Sequence, residues 1–414
     1  MREGLPPPLH SSIAGIVAAN RRRIWAVAFS GFSAFLGLYM TQPLLPTLET
    51  VFRCSKAAVT LTLTACTLGV AIAAPLVGFI ADHLGRKRVI VWSACGLALA
   101  TLLDATSTGL PSLVFWRFLQ GILTPGVFAV TVAYVQEEWL DGTGRAMAIY
   151  VTGTVLGGFT GRMLSALLIS MAGWRSPFLT IGLLGGAAAA MLKAWLPQER
   201  NFSGRTKKES PQIGVLSHLC NPRLLATFAV GFCVLFSLVA TFSYVTFHLS
   251  EKPFQLGPVA LGLLFCTYLF GAVVTPPCGR IIDRLGHRKA LAVALSGGMV
   301  GMMLTLIPQL WAVIAGLALC CSSVFVAQAT SSGFIGLAAE HDKALAVGLY
   351  VTTYYLGGSA GALLPGLLWP YGGWPVCVAL VMGVQCLAIL AAFKGWAAVS
   401  GRAGRVSGAL AAWE

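Results

Sequence analysis

Three residues of this sequence could handle charge where charge is scarce. Asp104 is the one carboxylate lying clearly within an apolar stretch, and Arg117 and Arg162 are the basic residues that do so. An arginine in such a setting costs at least about 2.5 to 3.5 kcal/mol, so it should face a helix-bundle interior and find a partner. Opposite charges held there can form a cluster whose protonation biases a conformational equilibrium. Glu49 follows the first apolar stretch, and Glu137 and Glu138 close the fourth. The pattern predicts that Asp104 or Glu49 pairs with Arg117 or Arg162 and serves proton coupling. The competing reading makes Asp104 a solvated residue at a helix end and Arg117 a side chain reaching to lipid headgroups.

Enzyme chemistry finds little footing. There is no H-E-x-x-H metal motif and no G-x-x-x-x-G-K-[ST] loop to cradle a nucleotide phosphate. Five of the six histidines, His10, His83, His218, His287 and His341, fall in polar loops or the N-terminal tail, and His248 lies near a helix end. The eleven cysteines form no C-x-x-C pair, and seven lie in apolar runs where cysteine acts as a small hydrophobe. No catalytic residue, metal or cofactor is expected, and the chain is not read as an enzyme.

The elements that must hold the buried charges are long apolar helices. Of 414 residues, 57% are hydrophobic and 10% charged, with a mean hydropathy of +0.80. A soluble protein carries about 25% charged residues, so soluble and single-anchor architectures are excluded. With about 20 residues per span, apolar segments fall at 24–46, 57–80, 89–107, 110–136, 146–169 and 176–196. A second set follows at 223–248, 257–279, 289–307, 310–338, 345–369 and 375–396. Arg21, Arg22 and Arg23 could imitate a twin-arginine export signal, but the stretch after them is longer than a signal core and lacks a small-residue cleavage site. The expected division is an N-terminal tail over 1–23, a six-helix bundle over 24–196, a linker over 197–222, a second bundle over 223–396 and a tail over 397–414.

A net charge of +14 would suggest a nucleic-acid partner in a soluble chain. With a cytoplasmic N-terminus and alternating loops, 22 Lys and Arg fall on the inner side and four (Arg53, Lys56, Arg175, Lys252) on the outer, with two inside spans. This asymmetry follows the positive-inside rule and records orientation, not nucleic-acid binding.

An internal repeat supports the division. Gly78-Phe-Ile-Ala-Asp82-His-Leu-Gly85-Arg86-Lys87 returns 201 residues later as Gly279-Arg-Ile-Ile-Asp283-Arg-Leu-Gly286-His-Arg288-Lys289. Tyr150, Gly157, Gly158, Gly161 and Gly173-Trp174 return at an offset of 200 as Tyr350, Gly357, Gly358, Gly361 and Gly373-Trp374. The expected fold is an all-α membrane protein, with twelve transmembrane helices in two pseudo-symmetric six-helix bundles. Parallel halves of this kind suit a carrier that rocks about a central site.

The loop from Gly78 to Arg88 resembles the signature loop of the major facilitator superfamily. That resemblance implies the major facilitator fold and gives Gly78, Asp82, Gly85, Arg86, Lys87, Gly279, Asp283, Gly286 and Arg288 a gating role. It also implies that Asp82 faces the N-terminus of span eleven, a contact that helps hold the outward-facing state. Arg117-Phe-Leu-Gln120-Gly121 resembles the superfamily's R-x-x-Q-G motif, linked there to proton coupling. Gly153, Gly157, Gly158 and Gly161 in span five suit close helix packing, although superfamily antiporters carry a proline where this chain has Thr154. Tyr39-x-x-Gln42-Pro43, Tyr134-Val-Gln-Glu137-Glu138, Gly173-Trp174-Arg175 and Tyr354-Tyr355-Leu-Gly-Gly358 together are similar to the YnfM-like branch, grouped with acriflavine-sensitivity and drug-efflux carriers.

By that resemblance, spans one, four, seven and ten line a central cavity, and the candidate substrate-binding residues are Tyr39, Gln42, Gln120, Tyr244, Tyr268, Gln328, Tyr354 and Tyr355. The aromatic residues among them could equally be packing anchors. The expected function is a proton-driven exporter of small amphipathic molecules or drugs working by alternating access. The alternative is a carrier for a metabolite such as a sugar or organic anion, and the two intramembrane arginines would suit an anion. The expected setting is the bacterial inner membrane, multi-pass, with both termini cytoplasmic. The expected partners are the bilayer, a small-molecule substrate and protons, with no nucleic acid, for a monomer.

Overall fold

The computed structural model describes residues 9–139, 142–199, 217–339 and 342–396, and of residues 9–21, 276 and 344 the backbone alone. Most of the expected linker and all of the expected C-terminal tail lie outside the described residues. Every regular element among the described residues is helical, arranged as two sets of six columns. In the first set, α1 (Leu9–Leu36) continues through a tight 3-10 turn (Gln42–Leu44) into α2 (Leu45–Phe52). It is followed by α3 (Lys56–Leu84), α4 (Arg86–Asp104), α5 (Leu110–Glu138), α6 (Thr143–Ala172) and α7 (Ser176–Trp195). The second set opens with α8 (Pro222–Ser250), and then α9 (Pro258–Leu263) passes through a 3-10 turn (Leu264–Cys266) into α10 (Thr267–Leu285). It closes with α11 (His287–Leu304), α12 (Leu310–Ala338), α13 (Lys343–Leu368) and α14 (Gly373–Gly395).

Among the described residues, eight columns are long and apolar enough to cross a membrane on length and composition alone. Three of the other four, α4, α11 and α13, are diluted for visible reasons. The first turns of α4 and α11 carry Arg86-Lys87-Arg88 and His287-Arg288-Lys289, and α13 is rich in Gly, Thr and Tyr. Helix ends follow local chemistry. Ser55 caps α3 by accepting from the Ala58 amide at 3.2 Å, and Asn221 caps α8 by accepting from Arg223 N at 3.0 Å, with Pro222 at the first helical position. Between α3 and α4 the chain turns at Gly85 (φ 92°), and its repeat copy Gly286 (φ 76°) does the same between α10 and α11. A side chain at either would be strained there.

Three boundaries differ from the apolar pattern. The first helix starts at Leu9, not near Ile24, because the preceding alanine-rich residues favour helix. Span one is not one helix but breaks at 37–44, and span eight runs on to Leu285 after its 3-10 turn.

Each set is knitted by a glycine ladder. A Cβ on Gly153, Gly157 or Gly161 of α6 would collide with the carbonyl oxygens of Ala28, Phe32 and Leu36 on α1. Gly357 and Gly361 of α13 meet Phe232 and Phe236 on α8 in the same way. The repeat read from the sequence is therefore a repeat of backbone-to-backbone helix contact.

The sets meet mainly where α3 packs on α13 and α6 on α9. Every hydrogen bond described between them lies toward the end away from the Gly78 and Gly279 loops: Thr67 with Ser359 at 2.8 Å, Thr60 with Tyr244 at 3.1 Å and Gln42 with Ser243 at 3.2 Å among them. Toward those loops burial falls away. Between Leu61 and Val70 only Leu61 is exposed, whereas six residues between Ile72 and Ile80 are. The two sets are closed at one end and parted at the other.

Filling the ladder tests this packing. Gly157→Leu should destabilise the protein by about 1–3 kcal/mol or more, as overpacking does, read as a lower thermal midpoint in detergent. Gly186→Leu on α7, where a Cβ meets nothing within 4 Å, should leave the midpoint nearly unchanged.

Candidate functional site

The break in span one organises the first set. Pro43 and Pro46 have no amide hydrogen to donate, so α1 cannot run on through them, and 37–41 form turns closed by bonds such as Gln42 N to Tyr39 O at 3.1 Å. Backbone oxygens lose their helical partners there, inside a bundle with no water to replace them. Arg117 of α5 supplies the donors. Its Nη1 reaches Gly37 O at 2.8 Å, its Nη2 Leu38 O at 2.6 Å and its Nε Thr62 O at 3.2 Å. The side chain is wholly buried, so it does not reach to headgroups.

Arg117 Nη1 also donates to Gln120 Oε1, and Gln120 Nε2 donates to Asp104 Oδ2. Asp104 is therefore not the solvated end residue of the competing reading. It is fully buried, and its Oδ1 has no hydrogen-bond partner among the described residues. The expected acid–arginine pair is present only as a relay through Gln120. The Gln120 amide is committed at both ends, which leaves it little freedom to bind substrate. Glu49 does not meet an arginine at all. It ion-pairs with Lys56 Nζ at 3.1 Å, and Lys56 in turn reaches Glu251 Oε1 across the two sets at 2.9 Å.

Arg162 of α6 sits in different surroundings. It is 4% exposed, donating from Nε to Gln42 Oε1 at 2.7 Å and from Nη1 to Gly158 O at 2.8 Å. Its guanidinium carbon lies 4.8 Å from the ring centre of Tyr39, 5.1 Å from Phe265 and 4.7 Å from Tyr268. Such rings attract a cation through their faces but do not neutralise it. No carboxylate partners Arg162 among the described residues. The site spans both sets, since Tyr39, Gln42 and Arg162 come from the first, and Phe265 within the 3-10 turn and Tyr268 just after it come from the second. Gln42 closes the link by donating to Ser243 Oγ.

The remaining candidates divide. Tyr244 does not line this site. Its hydroxyl donates to Ala362 O at 2.6 Å and meets Thr60 at the closed end. Gln328 accepts from the Tyr350 hydroxyl at 3.0 Å, and Tyr350 lies 5.9 Å from Tyr354, ring centre to ring centre. Tyr354 lies 5.5 Å from Tyr355, which faces Phe128 of the other set at 6.1 Å. Tyr350, Tyr354, Tyr355 and Phe128 thus form one run of neighbouring rings that crosses from the second set to the first. Phe265, Ser243, Tyr350 and Phe128 are the members that sequence reasoning missed. Tyr350 alone gave a signal, through its repeat with Tyr150.

At the parted end, the signature loop is tied within its own set. Arg86 pairs with Asp82 at 2.7 Å and makes a two-pronged contact with Glu137 at 2.7 and 3.1 Å. Lys87 N donates to Glu199 Oε2 at 3.3 Å. Asp82 has no hydrogen bond or ion pair to α13 among the described residues; the contact implied with span eleven is one that holds an outward-facing state. Arg288 in the second copy donates to Phe393 O. Glu138 and Arg23 approach at 3.8 Å. A string of G-x-S-x-G type, Gly357 to Gly361, lies mid-helix in α13, and Ser359 bonds to Tyr355 O at 3.0 Å and to Thr67. A nucleophile of that motif needs a strand-to-helix turn, so Ser359 is a packing residue.

These features match known proteins over most of the chain. The family model of the Major Facilitator Superfamily matches residues 27–271 and 252–408. An uncharacterized transporter of Buchnera aphidicola subsp. Schizaphis graminum is 30% identical over 373 residues, covering 90% of each chain. The inner membrane transport protein YnfM of Escherichia coli K12 is 30% identical over 371 residues, covering 89% of each. The crystal structure of a point mutant of the nucleoside transporter NupG superposes with a TM-score of 0.72 at 14% identity, covering 90% of this chain and 100% of that one. Twelve helical columns in two repeated sets, a signature loop and its copy, and this family match lead to one conclusion: the chain is a membrane transporter belonging to the major facilitator superfamily.

Proposed function

We propose that the protein is a proton-coupled secondary transporter of the bacterial inner membrane, with both termini cytoplasmic, working by alternating access. The observation that carries this reading is the one-sided closure. The two sets are sealed through Lys56–Glu251, Thr60–Tyr244 and Thr67–Ser359, while the basic loops at the other end are tied within their own halves. With those loops on the cytoplasmic side, this is an inward-facing state. The direction of net transport is proposed as export, by resemblance to the drug-efflux carriers.

Asp104 is the proposed proton-exchanging group. Arg117 from α5 and Cys66 from α3 are the titratable groups beside it. A carboxylate with one free oxygen, relayed by Gln120 to the arginine that holds the span-one break, can convert a proton into a conformational bias. Protonation removes the charge that Gln120 serves and slackens the hold of Arg117 on Gly37 and Leu38.

Two experiments test this. In proteoliposomes under an imposed pH gradient, with ethidium, glucose and benzoate as cationic, neutral and anionic probes, one class should accumulate only with the gradient. Asp104→Asn should lower that accumulation roughly ten-fold, about 1.4 kcal/mol of coupling, while gradient-free exchange continues. Accumulation of every probe without a gradient, or unchanged coupling in the variant, would contradict the reading. Separately, Lys56→Gln removes a partly exposed bridge worth about 0.2–1 kcal/mol. It should speed labelling of Ser359→Cys by an impermeant thiol reagent from the outer side by about two- to five-fold, and no change would show that Lys56 does not bias the closed state.

A further inference from the structure

The two arginines within the spans share a desolvation problem and solve it differently. Arg117 directs all three nitrogens at backbone oxygens and a relayed carboxylate, so its charge is accounted for by the fold. Arg162 has one amide oxygen, one carbonyl, the polar side chain of Tyr268 and three aromatic rings, but no carboxylate among the described residues. A buried cation without an opposing charge is an expensive arrangement, and aromatic rings offset only part of that cost. Something with a negative charge would complete the site.

The position of Arg162 restricts what that is. It is buried where the two sets meet, with Gln42 bonded to Ser243 of the second set and the Phe265 and Tyr268 rings of that set beside its guanidinium. A carboxylate matches the planar fork of an arginine, and a flat ring behind it matches tyrosine and phenylalanine faces through stacked or edge-on contact. Phe265 and Tyr268 come from the other set than Arg162, so a ligand held between them feels both halves, as a rocking carrier requires.

We propose that Arg162, with Tyr39, Phe265 and Tyr268, is the binding site for a small aromatic monocarboxylate. This rests on the transporter reading above and narrows it to the organic-anion alternative. An aromatic cation is disfavoured, because it would meet Arg162 as a like charge.

The test is equilibrium binding to purified full-length protein in detergent, followed by calorimetry and independent of flux. Four probes separate the parts of the claim: benzoate, its neutral isostere benzamide, the cation benzylammonium and the non-aromatic acid cyclohexanecarboxylate. Benzoate should bind roughly ten-fold or more tighter than benzamide, the range of a charge-assisted hydrogen bond, and benzylammonium should not bind measurably. Arg162→Gln should erase the preference for benzoate over benzamide, whereas Arg162→Lys should retain part of it. Phe265→Leu should narrow the preference for benzoate over cyclohexanecarboxylate. Benzamide or benzylammonium binding as tightly as benzoate to the unmodified protein overturns the proposal, and that comparison stays readable even if a variant fails to fold. Loss of gradient-driven flux with benzoate binding intact would count against the coupling mechanism and leave the site standing.

Discussion

A single guanidinium holds the first span open in its middle, and the rest of the site depends on it. Pro43 and Pro46 stop α1 from running on, and Arg117 takes up the carbonyl oxygens of Gly37 and Leu38 that the break releases. Gly37 O also accepts from Met40 N at 3.4 Å, but Leu38 O left bare in a dry bundle would cost about 1–3 kcal/mol, so the break is held by the arginine. Because the chain turns there, Tyr39 and Gln42 leave the helical path and reach Arg162, and Gln42 continues to Ser243 in the second set. The same arginine touches Gln120, through which Asp104 enters. One cation thus links a buried acid, a broken helix and the contact between the halves.

The glycine ladders complement this polar chain. Helices α6 and α1, and likewise α13 and α8, touch backbone to backbone, which makes each pair stiff. Stiff pairs can move as bodies about the softer contacts between the sets, where single hydrogen bonds and the Lys56 bridge close one end. The lysine is 16% exposed at its side chain and Glu251 52%, so this is a bridge that water can reach and that yields at modest cost.

Much of this was legible in the sequence because it rests on composition and spacing. Apolar runs located the spans, the offset of about 200 residues announced the repeat, and four-residue glycine spacing predicted close packing. Arg117, Gln120 and Asp104 were singled out because charge and amide are rare in spans. Their order, acid to amide to arginine to carbonyl, was not legible, because it depends on a helix break that hydropathy smooths over. Glu49 was misjudged for a similar reason: its distance from Lys56 is short only because α2 folds beside the start of α3. Phe265 and Ser243 gave no signal, since a phenylalanine or serine in a span is ordinary and only the turn at 264–266 and the approach of α8 give them their neighbours.

In the proposed mechanism the charge state of Asp104 biases which end of the bundle is open. The most direct measurement is the distance between spin labels at H83C and R284C, both exposed next to the signature loops, with exposed Cys95, Cys220 and Cys386 replaced. In acidic buffer, protonated Asp104 should release the relay and shift the distribution toward shorter separations as the loop ends approach. D104N should show the acid-like distribution in alkaline buffer too. A distribution that is the same in acidic and alkaline buffer, or that D104N leaves pH-sensitive, would contradict the account.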